Sequence, residues 1–539
     1  MPTVTLNRKE FERIVGKKLS LENLKDRISM LGTDLDNVND KEINVEIFPN
    51  RPDMLSEQGF ARAFSSFIGV KKGLREYKIK KSGYKVIVDK SVTMRPYTAC
   101  AIVKGVKFTD EKIREIMQIQ EKLAATHGRN RRKSAYGLYP SKNIKFPVYY
   151  IAKDPNEIKF KPLGFDKEMI ASKVEQVHPK GREYKSMTEG WIKYPFFIDA
   201  ENNVMCMLPY TNSEDTGKVD EKTKEVFVEC TGVDFENVKT ALNIFVTMLA
   251  DMGGEIYSID IVYGNKKITT PNLTPEKMKL DLKDVNKMLG LKLKENDIKH
   301  YLEKMGFGYK DKTVLVPAYR SDIMHPVDLM EDIAIAYGYE NFKEEIPNVA
   351  TIGVEDDFSK FKNKIADILV GFGLLEVSNY NLTNEKVQNE KMSLKGENIE
   401  VSNAVNVDYN ALRKWIIPSL LEILERNKHH DYPQNIFEIG TCFSSKEEDC
   451  LSVVLCGNKI DFTSIKQILD YLINTLDLKY EIKEEKHDSF IDGRTGKIII
   501  GKEVGVIGEI HPKVLENFGL DMPAVAFEIN LSDVFNIMK

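Results

Sequence analysis

Residues 316–339 read Val-Pro-Ala-Tyr-Arg-Ser-Asp-Ile-Met-His-Pro-Val-Asp-Leu-Met-Glu-Asp-Ile-Ala-Ile-Ala-Tyr-Gly-Tyr. The stretch predicts a short loop followed by a helix that begins at Pro326 and ends near Tyr337. Pro326 suits the first helical turn, where its missing N–H leaves no hydrogen bond unmade. Two shorter helices and two strands are predicted just before it. The pattern therefore indicates a small domain that closes on this helix.

Acidic side chains gather at the start of this helix. Asp328, Glu331 and Asp332 fall at i, i+3 and i+4, hence on one face, and Asp322 lies on the entering loop. Oxygen ligands that converge in this way suit Mg²⁺. The alternative is that acids in a first helical turn complement the helix dipole and face solvent. The residue pattern alone favours this second interpretation.

Size and composition are those of a multidomain globular protein. The 539 residues exceed one ordinary hydrophobic core and predict about three or four folded units. Because 78 basic residues nearly balance 82 acidic ones, any contact with a nucleic acid must be local. The densest basic run, residues 129–133, is more typical of a solvated loop than of a binding site.

The spacing of the cysteines and the length of the apolar runs indicate the cellular compartment in which the protein works. The six cysteines form no Cys-x-x-Cys pair and have no histidine at zinc spacing, which favours reduced structural thiols. The N-terminus lacks the apolar core of a signal peptide. No run approaches the ~18 apolar residues that a membrane span needs. We therefore expect a cytoplasmic protein with no membrane contact.

Helix and strand signals divide the chain into four parts, which together predict a multidomain α+β fold. Residues 1–85 form an N-terminal α+β module. Residues 86–270 form a strand-rich mixed domain with a long helix after its N-cap, Asp234. Residues 271–345 form a small helical domain that resembles nucleic-acid-binding folds. Residues 346–539 form one further α+β domain.

Five stretches carry a resemblance to a known family. They are spread over nearly the whole chain, and they occur in the family's order. Together they resemble the phenylalanyl-tRNA synthetase β subunit family, and the form of the middle domain favours its archaeal and eukaryotic branch. The stretches are 49–56 (Pro-Asn-Arg-Pro-Asp-Met-Leu-Ser), 212–216 with 231–234, 316–339, 437–440 (Phe-Glu-Ile-Gly) and 507–512 (Ile-Gly-Glu-Ile-His-Pro).

The resemblance changes the interpretation of the acids. It implies that Asp322, Asp328, Glu331 and Asp332 bind Mg²⁺ near the contact with an α subunit, and so it reverses the preference left by the pattern alone. It further implies an (αβ)₂ heterotetramer that binds tRNA(Phe) and ligates phenylalanine to it, with ATP used in the α-subunit active site.

The last domain resembles a class II synthetase catalytic module without its catalytic site. Class II synthetases hold ATP phosphates with arginines, one of them in a late glycine-rich segment. Residues 346–539 contain Gly493-Arg494 but no Gly-x-Gly run followed by a spaced arginine. We therefore expect no catalytic residue for ligation in this chain.

The resemblance also implies that residues 86–270 are an editing domain, which hydrolyses tyrosine wrongly attached to the tRNA. A pocket that admits phenylalanine rejects an added hydroxyl only about a hundredfold, so a second hydrolytic site is useful. The alternative is local: the segment around Ser213 caps a turn, and Thr231 caps the next helix. The matching residues are Cys206, Asn212, Ser213, Glu214, Glu229 and Thr231.

Three positions depart from the family pattern. Glu229-Cys230-Thr231 stands where the pattern has Asp-Val-Thr, and Cys206 stands where serine is usual. Tyr139-Pro140 replaces a His-Asp pair after Gly137. Glutamate is one methylene longer than aspartate, and cysteine is a weaker hydrogen-bond donor than serine. We therefore expect editing that is measurable but slow.

A second function remains open from the sequence. The alternative is a free-standing tRNA-binding or aminoacyl-tRNA deacylase protein without a ligase partner. The two hypotheses differ in whether residues 346–539 present a large apolar surface to another chain.

Overall fold

The computed structural model describes residues 2–539 and has two compact units, Met1–Glu345 and Ile346–Lys539. The first three predicted domains lie within the first unit, and the fourth coincides with the second. The predicted multidomain α+β architecture is confirmed.

The N-terminal part pairs a small sheet with three helices. The sheet is antiparallel, in the order Thr3–Asn7, Glu42–Glu46, Asp34–Val38. The chain forms a 3₁₀ turn at Pro52–Met54 and then a separate helix from Glu57. Gly59 permits this break, since a Cβ there would lie 1.9 Å from the Asp53 carbonyl oxygen. The helices are Arg8–Val15, Leu21–Met30 and Glu57–Phe67.

The middle part is built on one 10-stranded sheet. The helix Phe235–Asp251 packs on one face of it, and Asp234 caps that helix as predicted. The strands run in the order Thr211–Asn212, Val204–Met207, Tyr194–Ile198, Val148–Lys153, Ile79–Val88, Glu255–Tyr263, Tyr97–Lys104, Glu225–Gly232, Ser134–Pro140, with Lys266–Thr270 beside Glu255–Tyr263. The other elements are the helices Asp110–Ala125, Ala171–Val177, Pro179–Tyr184 and Glu214–Gly217, the pair Lys159–Phe160 and Met169–Ile170, and 3₁₀ turns at Ser141–Asn143 and Lys185–Met187.

The strand Glu225–Gly232 separates two environments. Val226, Val228 and Cys230 join the core beneath the helices, whereas Phe227 belongs to a second core on the opposite face. Because side chains alternate along a strand, Glu229 shares the Phe227 face. This alternation places Glu229 away from the helical core.

The small domain differs from the helical domain that the sequence predicted. It contains a three-stranded antiparallel sheet, in the order Glu276–Lys279, Thr313–Val316, Gly308–Lys310. The sequence missed the first strand because Glu-Lys-Met-Lys holds a single apolar residue. The helices are Leu282–Leu289, Glu295–Lys304 and Pro326–Tyr337, followed by a 3₁₀ turn at Tyr339–Asn341; the predicted helix bounds at 326 and 337 are confirmed.

The three parts of the first unit share one hydrophobic core, to which each contributes buried side chains. A polar contact also joins them. Arg62 pairs with Asp251 at 2.7 Å and stacks over the Tyr319 ring at 4.0 Å from its centroid. The domain boundaries predicted at 85 and 270 therefore do not separate independent cores.

The second unit is a seven-stranded sheet with helices on both faces. Its strands run in the order Leu375–Glu376, Gln434–Phe443, Glu447–Cys456, Ala524–Asn530, Lys502–Ile510, Phe490–Ile500, Glu481–Glu484. One face packs on Asp357–Gly371, Phe462–Thr475 and Leu531–Met538, and the other on Ile417–Arg426 and Pro512–Asn517. Smaller elements are the pair Leu382–Thr383 and Ala411–Leu412 and single turns at Lys386–Glu390 and Val407–Tyr409. Within residues 2–539, no helix has the length and apolarity that crossing a bilayer requires.

Candidate functional site

Two of the four predicted magnesium ligands bind an arginine instead. Arg320 donates from Nε and Nη2 to both oxygens of Asp322, each at 2.7 Å, and from Nη2 to Asp332 Oδ2 at 2.7 Å. Such forked, charge-assisted bonds are strong and directional. Burial raises the pKa of Asp332, although the Arg320 charge opposes the shift. Asp322 and Asp332 are therefore counterions of Arg320 in this structure.

The other two acids have separate surroundings. Asp328 Oδ2 accepts hydrogen bonds from the backbone N–H groups of Met324 (2.8 Å) and His325 (2.7 Å), which fixes the start of the helix. Glu331 is exposed, whereas Asp332 is 6% exposed. The three acids therefore share one helix, Pro326–Tyr337, but differ in burial and in hydrogen-bond partners.

The positions of the four predicted acids show whether they can hold one magnesium ion together. Among residues 2–539, three potential metal-ligand atoms lie within 4.8 Å of one another only at Cys442, Cys450 and Glu528 in the second unit. The Glu528 carboxylate is used there to anchor the helix Ile417–Arg426, accepting from the Ile416 and Ile417 N–H groups. A magnesium ion held by all four predicted acids does not fit this arrangement. Asp328 and Glu331 retain carboxylate oxygens without protein partners, which suits a hydrated ion held by one or two carboxylates.

The stretches 49–56 and 316–339 share one feature, an Arg-x-Asp fork. Arg51 donates to both oxygens of Asp53 at 2.9 Å, as Arg320 does to Asp322. The two forks interact: the Arg51 and Arg320 charges together hold the pKa of Asp53 below its usual range, against the raising effect of burial. Two segments almost 270 residues apart in sequence thus meet in one buried charge network.

The middle part of the first unit contains a cavity of about 480 Å³. It lies between the helix Asp110–Ala125, the edge strand Ser134–Pro140 and the segment 208–212. Its lining mixes apolar side chains with polar groups, the combination typical of small-molecule sites. Of the six predicted editing residues, three line it: Asn212, Glu214 and Glu229.

Glu229 is the most buried of these acids, at 1% exposure. Its Oε1 lies 3.2 Å from the Tyr139 hydroxyl, and its Oε2 has no hydrogen-bond partner in the described chain. Burial raises the pKa of Glu229 to about 8. The carboxyl group is therefore mostly protonated at neutral pH. It can donate a hydrogen bond, but it is not a ready general base.

The remaining three predicted residues do not line the cavity. Thr231 is fully buried, and its Oγ1 has no partner in the described chain. Cys206 is fully buried, and burial raises the pKa of its thiol. Ser213 accepts a hydrogen bond from the Asp215 N–H and caps the helix Glu214–Gly217, which confirms the local alternative for this residue. Asp234, not Thr231, caps the next helix.

Two arginines near the cavity were missed. Arg131 lies in the basic run that the sequence favoured as a solvated loop, but it lines the cavity, donates to the Pro209 carbonyl at 2.8 Å and pairs with Glu121 at 2.9 Å. Arg95, which is 1% exposed, donates to the Arg131 and Thr231 carbonyl oxygens at 2.8 and 2.9 Å. Arg129, Asn130 and Arg132 of this run are exposed, and only Arg131 lies against the cavity, which a charge pattern does not reveal.

The second unit has a cavity of about 750 Å³, whose lining includes a single arginine, Arg426. Arg413 is fully buried and pairs with Glu438 at 2.6 Å. Arg494, of the Gly493-Arg494 pair, is exposed and pairs with Glu509 at 2.6 Å. The arrangement offers no converging arginines for the phosphates of ATP in the described part of this unit.

Similarity to known families gives the class of this multidomain α+β chain, which resembles chains of the aminoacyl-tRNA synthetases. Residues 278–339 match the family model "tRNA synthetase B5 domain", and residues 343–531 match "Phenylalanyl tRNA synthetase beta chain CLM domain". The phenylalanine–tRNA ligase beta subunit of Pyrococcus abyssi is 42% identical over 99% of this chain and 100% of its own length. That of Archaeoglobus fulgidus is 42% identical, with 99% of both chains covered.

A solved structure agrees. The crystal structure of an N-terminal fragment of the phenylalanyl-tRNA synthetase beta-subunit from Pyrococcus horikoshii superposes with a TM-score of 0.60 at 39% identity, covering 62% of this chain and 99% of the fragment. The chain belongs to the phenylalanine–tRNA ligase β-subunit family. The alternative of a free-standing protein finds no support among these relatives.

Proposed function

We propose that the chain works in the cytoplasm as the non-catalytic subunit of an (αβ)₂ complex that ligates phenylalanine to tRNA(Phe). The observation that carries the proposal is the match to beta subunits of this ligase along 99% of the chain. The cavity of the second unit has a single arginine in its lining. This supports assigning ATP binding to the α chain, because ATP phosphates need cationic partners. ATP is then bound and used by the α chain.

We also propose magnesium binding, by two of the four predicted acids and not by all four. Asp328 and Glu331 would hold Mg²⁺ at the start of the helix Pro326–Tyr337 through their free carboxylate oxygens. Asp322 and Asp332 stay with Arg320, because releasing that buried guanidinium would leave its charge uncompensated.

The cavity of about 480 Å³ is proposed to hydrolyse wrongly aminoacylated tRNA. Three buried polar atoms without partners, Glu229 Oε2, Thr231 Oγ1 and Arg95 Nε, lie on or beside the strand Glu225–Gly232. Orphaned buried polar groups are rare and usually bind water or a ligand. Because Glu229 is protonated at neutral pH, its role is to hydrogen-bond the aminoacyl group, and a positioned water attacks the ester.

The experiment is co-expression with the α chain of the same organism. The purified complex should form Phe-tRNA(Phe) and should release tyrosine from Tyr-tRNA(Phe) faster than buffer does. Glu229→Ala, which removes a carboxyl group that lines the cavity, should slow that release by about tenfold or more, the scale expected when a group that positions a reactant is lost. Thr231→Ala, which changes a buried residue outside the cavity lining, should slow it less. Glu168→Ala, on an exposed loop of the same domain, is the matched control. A complex that forms Phe-tRNA(Phe) but hydrolyses no Tyr-tRNA(Phe) would overturn the editing role alone.

A further inference from the structure

We infer that the second unit holds a zinc ion between the side chains of Cys442, Cys450 and Glu528. Each of the three residues offers one potential ligand atom, and these three atoms lie within 4.8 Å of one another. All three residues are buried. The inference concerns neither the ligase role nor the editing role, and the site is separate from the magnesium proposed at Asp328 and Glu331.

The two cysteines come from one β-hairpin. They lie on adjacent antiparallel strands of the seven-stranded sheet, which are joined by residues 444–446. Cys450 pairs with Gly440, two residues before Cys442. Because side chains alternate along a strand, both thiols lie on the same face of the sheet as diagonal neighbours. The hairpin alone therefore brings two sulfur ligands together.

Glu528 contributes the third ligand from the next strand of the sheet. Its Oε1 lies 3.9 Å from Cys442 Sγ, whereas its Oε2 accepts hydrogen bonds from the Ile416 and Ile417 N–H groups at 2.8 and 3.0 Å. A carboxylate that binds a metal through one oxygen is commonly oriented by hydrogen bonds of this kind. The start of the helix Ile417–Arg426 also places partial positive charge beside the carboxylate.

The ligand atoms select the metal. Two thiolates and a carboxylate suit Zn²⁺, whereas Mg²⁺ takes oxygen ligands. Tetrahedral zinc with bonds of about 2.3 Å to sulfur and about 2.1 Å to oxygen sets these two atoms about 3.6 Å apart. The 3.9 Å between Cys442 Sγ and Glu528 Oε1 needs only a small contraction. Cys450 Sγ makes an equally long contact, 4.0 Å to the Glu448 carbonyl oxygen, so neither sulfur is held by a short hydrogen bond.

A second observation points to a ligand at the same place. Ser452 lies two residues after Cys450 and directly opposite Glu528, hence on the same face of the sheet. Its side chain is 0% exposed, and its Oγ has no hydrogen-bond partner in the described chain. Buried hydroxyls of this kind are rare and usually accompany a bound water or ligand. Zinc with three protein ligands keeps a fourth position, and Ser452 is placed to hydrogen-bond the group that fills it.

The ion has a structural role. It joins three neighbouring strands beneath the start of the helix Ile417–Arg426, and none of its three protein ligands lines the cavity of about 750 Å³ in this unit. Because the three ligands meet only in the folded chain, the free energy of zinc binding adds to the stability of the second unit.

The test measures zinc in purified αβ complexes of wild type, Cys442→Ser, Cys450→Ser and Cys456→Ser, each dialysed against magnesium buffer with a weak chelator to remove surface ions. Cys456 is buried on the same strand and face as Cys450 but lies outside the cluster, so it is the matched control. Zinc held by the α chain is common to all four complexes. Replacement of zinc by Co²⁺ gives a second readout, because thiolate-bound Co²⁺ has a charge-transfer band in the near ultraviolet.

We expect wild type and Cys456→Ser to hold one more zinc ion per β chain than Cys442→Ser or Cys450→Ser. Phenanthroline should lower the unfolding midpoint of wild type but not that of Cys442→Ser. If the serine variants fail to fold, Glu528→Gln, which keeps an oxygen for the helix N–H groups, should lower the zinc content in the same way. Equal zinc in all folded complexes, or a wild-type complex with neither zinc nor a cobalt–thiolate band, would overturn the inference.

Discussion

Arg320 and Asp332 form a buried ion pair with an Nη2–Oδ2 distance of 2.7 Å and side-chain exposures of 2% and 9%. The same guanidinium also holds Asp322. Removing one partner of a buried pair leaves the other charge uncompensated, which is more damaging than losing a surface contact. The acids of this segment thus have a structural role that does not depend on a metal ion.

The first prediction concerns this pair. Asp332→Asn keeps the shape of the side chain but removes its charge, and it should destabilise the first unit by about 3 kcal/mol or more. The measurement is the thermal unfolding midpoint of the complex in EDTA. Glu331→Gln, its exposed neighbour on the same helix, is the control and should melt like wild type. Equal midpoints for both variants would remove the structural role assigned to Asp332.

The second prediction concerns magnesium. Added Mg²⁺ should raise the unfolding midpoint of the wild-type complex, since an ion that binds only the folded state stabilises it. Asp328→Asn and Glu331→Gln should each lose that increment, because they remove the two carboxylates with free oxygens. Glu344→Gln, an exposed acid near the end of the small domain and outside its helices, should keep it. An unchanged magnesium response in Glu331→Gln would exclude the two-acid site.

The third prediction is a pH dependence. The folded pKa of Glu229 is about 8, above the value of about 4.3 in an unfolded chain. The folded state therefore holds the proton more tightly, and the stability that this supplies is complete below about pH 4.3 and is lost as the pH rises through about 8. Between pH 6 and 8 the loss amounts to about 2 kcal/mol.

Glu229→Gln isolates this effect, because glutamine keeps the neutral shape and cannot ionise. Its unfolding midpoint should fall less than that of wild type between pH 6 and 8. Comparison within one pH series is needed, since burial also raises the pKa of Glu57 to about 8 and the two contributions add. If wild type and Glu229→Gln lose stability in parallel, Glu229 is not the protonated group that the cavity geometry requires.

Local signals in the sequence predicted much of the fold. The helix Pro326–Tyr337 and the cap Asp234 were found because a helix start depends on residues a few positions apart. The Arg-x-Asp forks are equally local, yet their meaning was missed, because spacing on a helix does not tell a metal ligand from the counterion of an arginine. The counterion role became visible only from the hydrogen bonds of buried Arg320 to Asp322 and Asp332.

The cavity depends on long-range contacts that no local pattern contains. Tyr139 lies 73 residues from Asn212 and 90 residues from Glu229 in the chain. The sequence identified Tyr139 as a departure from the family pattern, and it identified Asn212 and Glu229 as candidates. That the three meet follows from the order of strands in the sheet, which composition and periodicity leave open.

The most direct test of the account is phenylalanine-dependent exchange between pyrophosphate and ATP, measured with the purified full-length chain and again after adding its α chain. The chain alone should give no exchange above buffer, because its second unit lacks converging arginines for the phosphates. Exchange should appear when the α chain is added. Exchange by this chain alone, in a preparation free of α chain, would contradict the assignment of a non-catalytic β subunit.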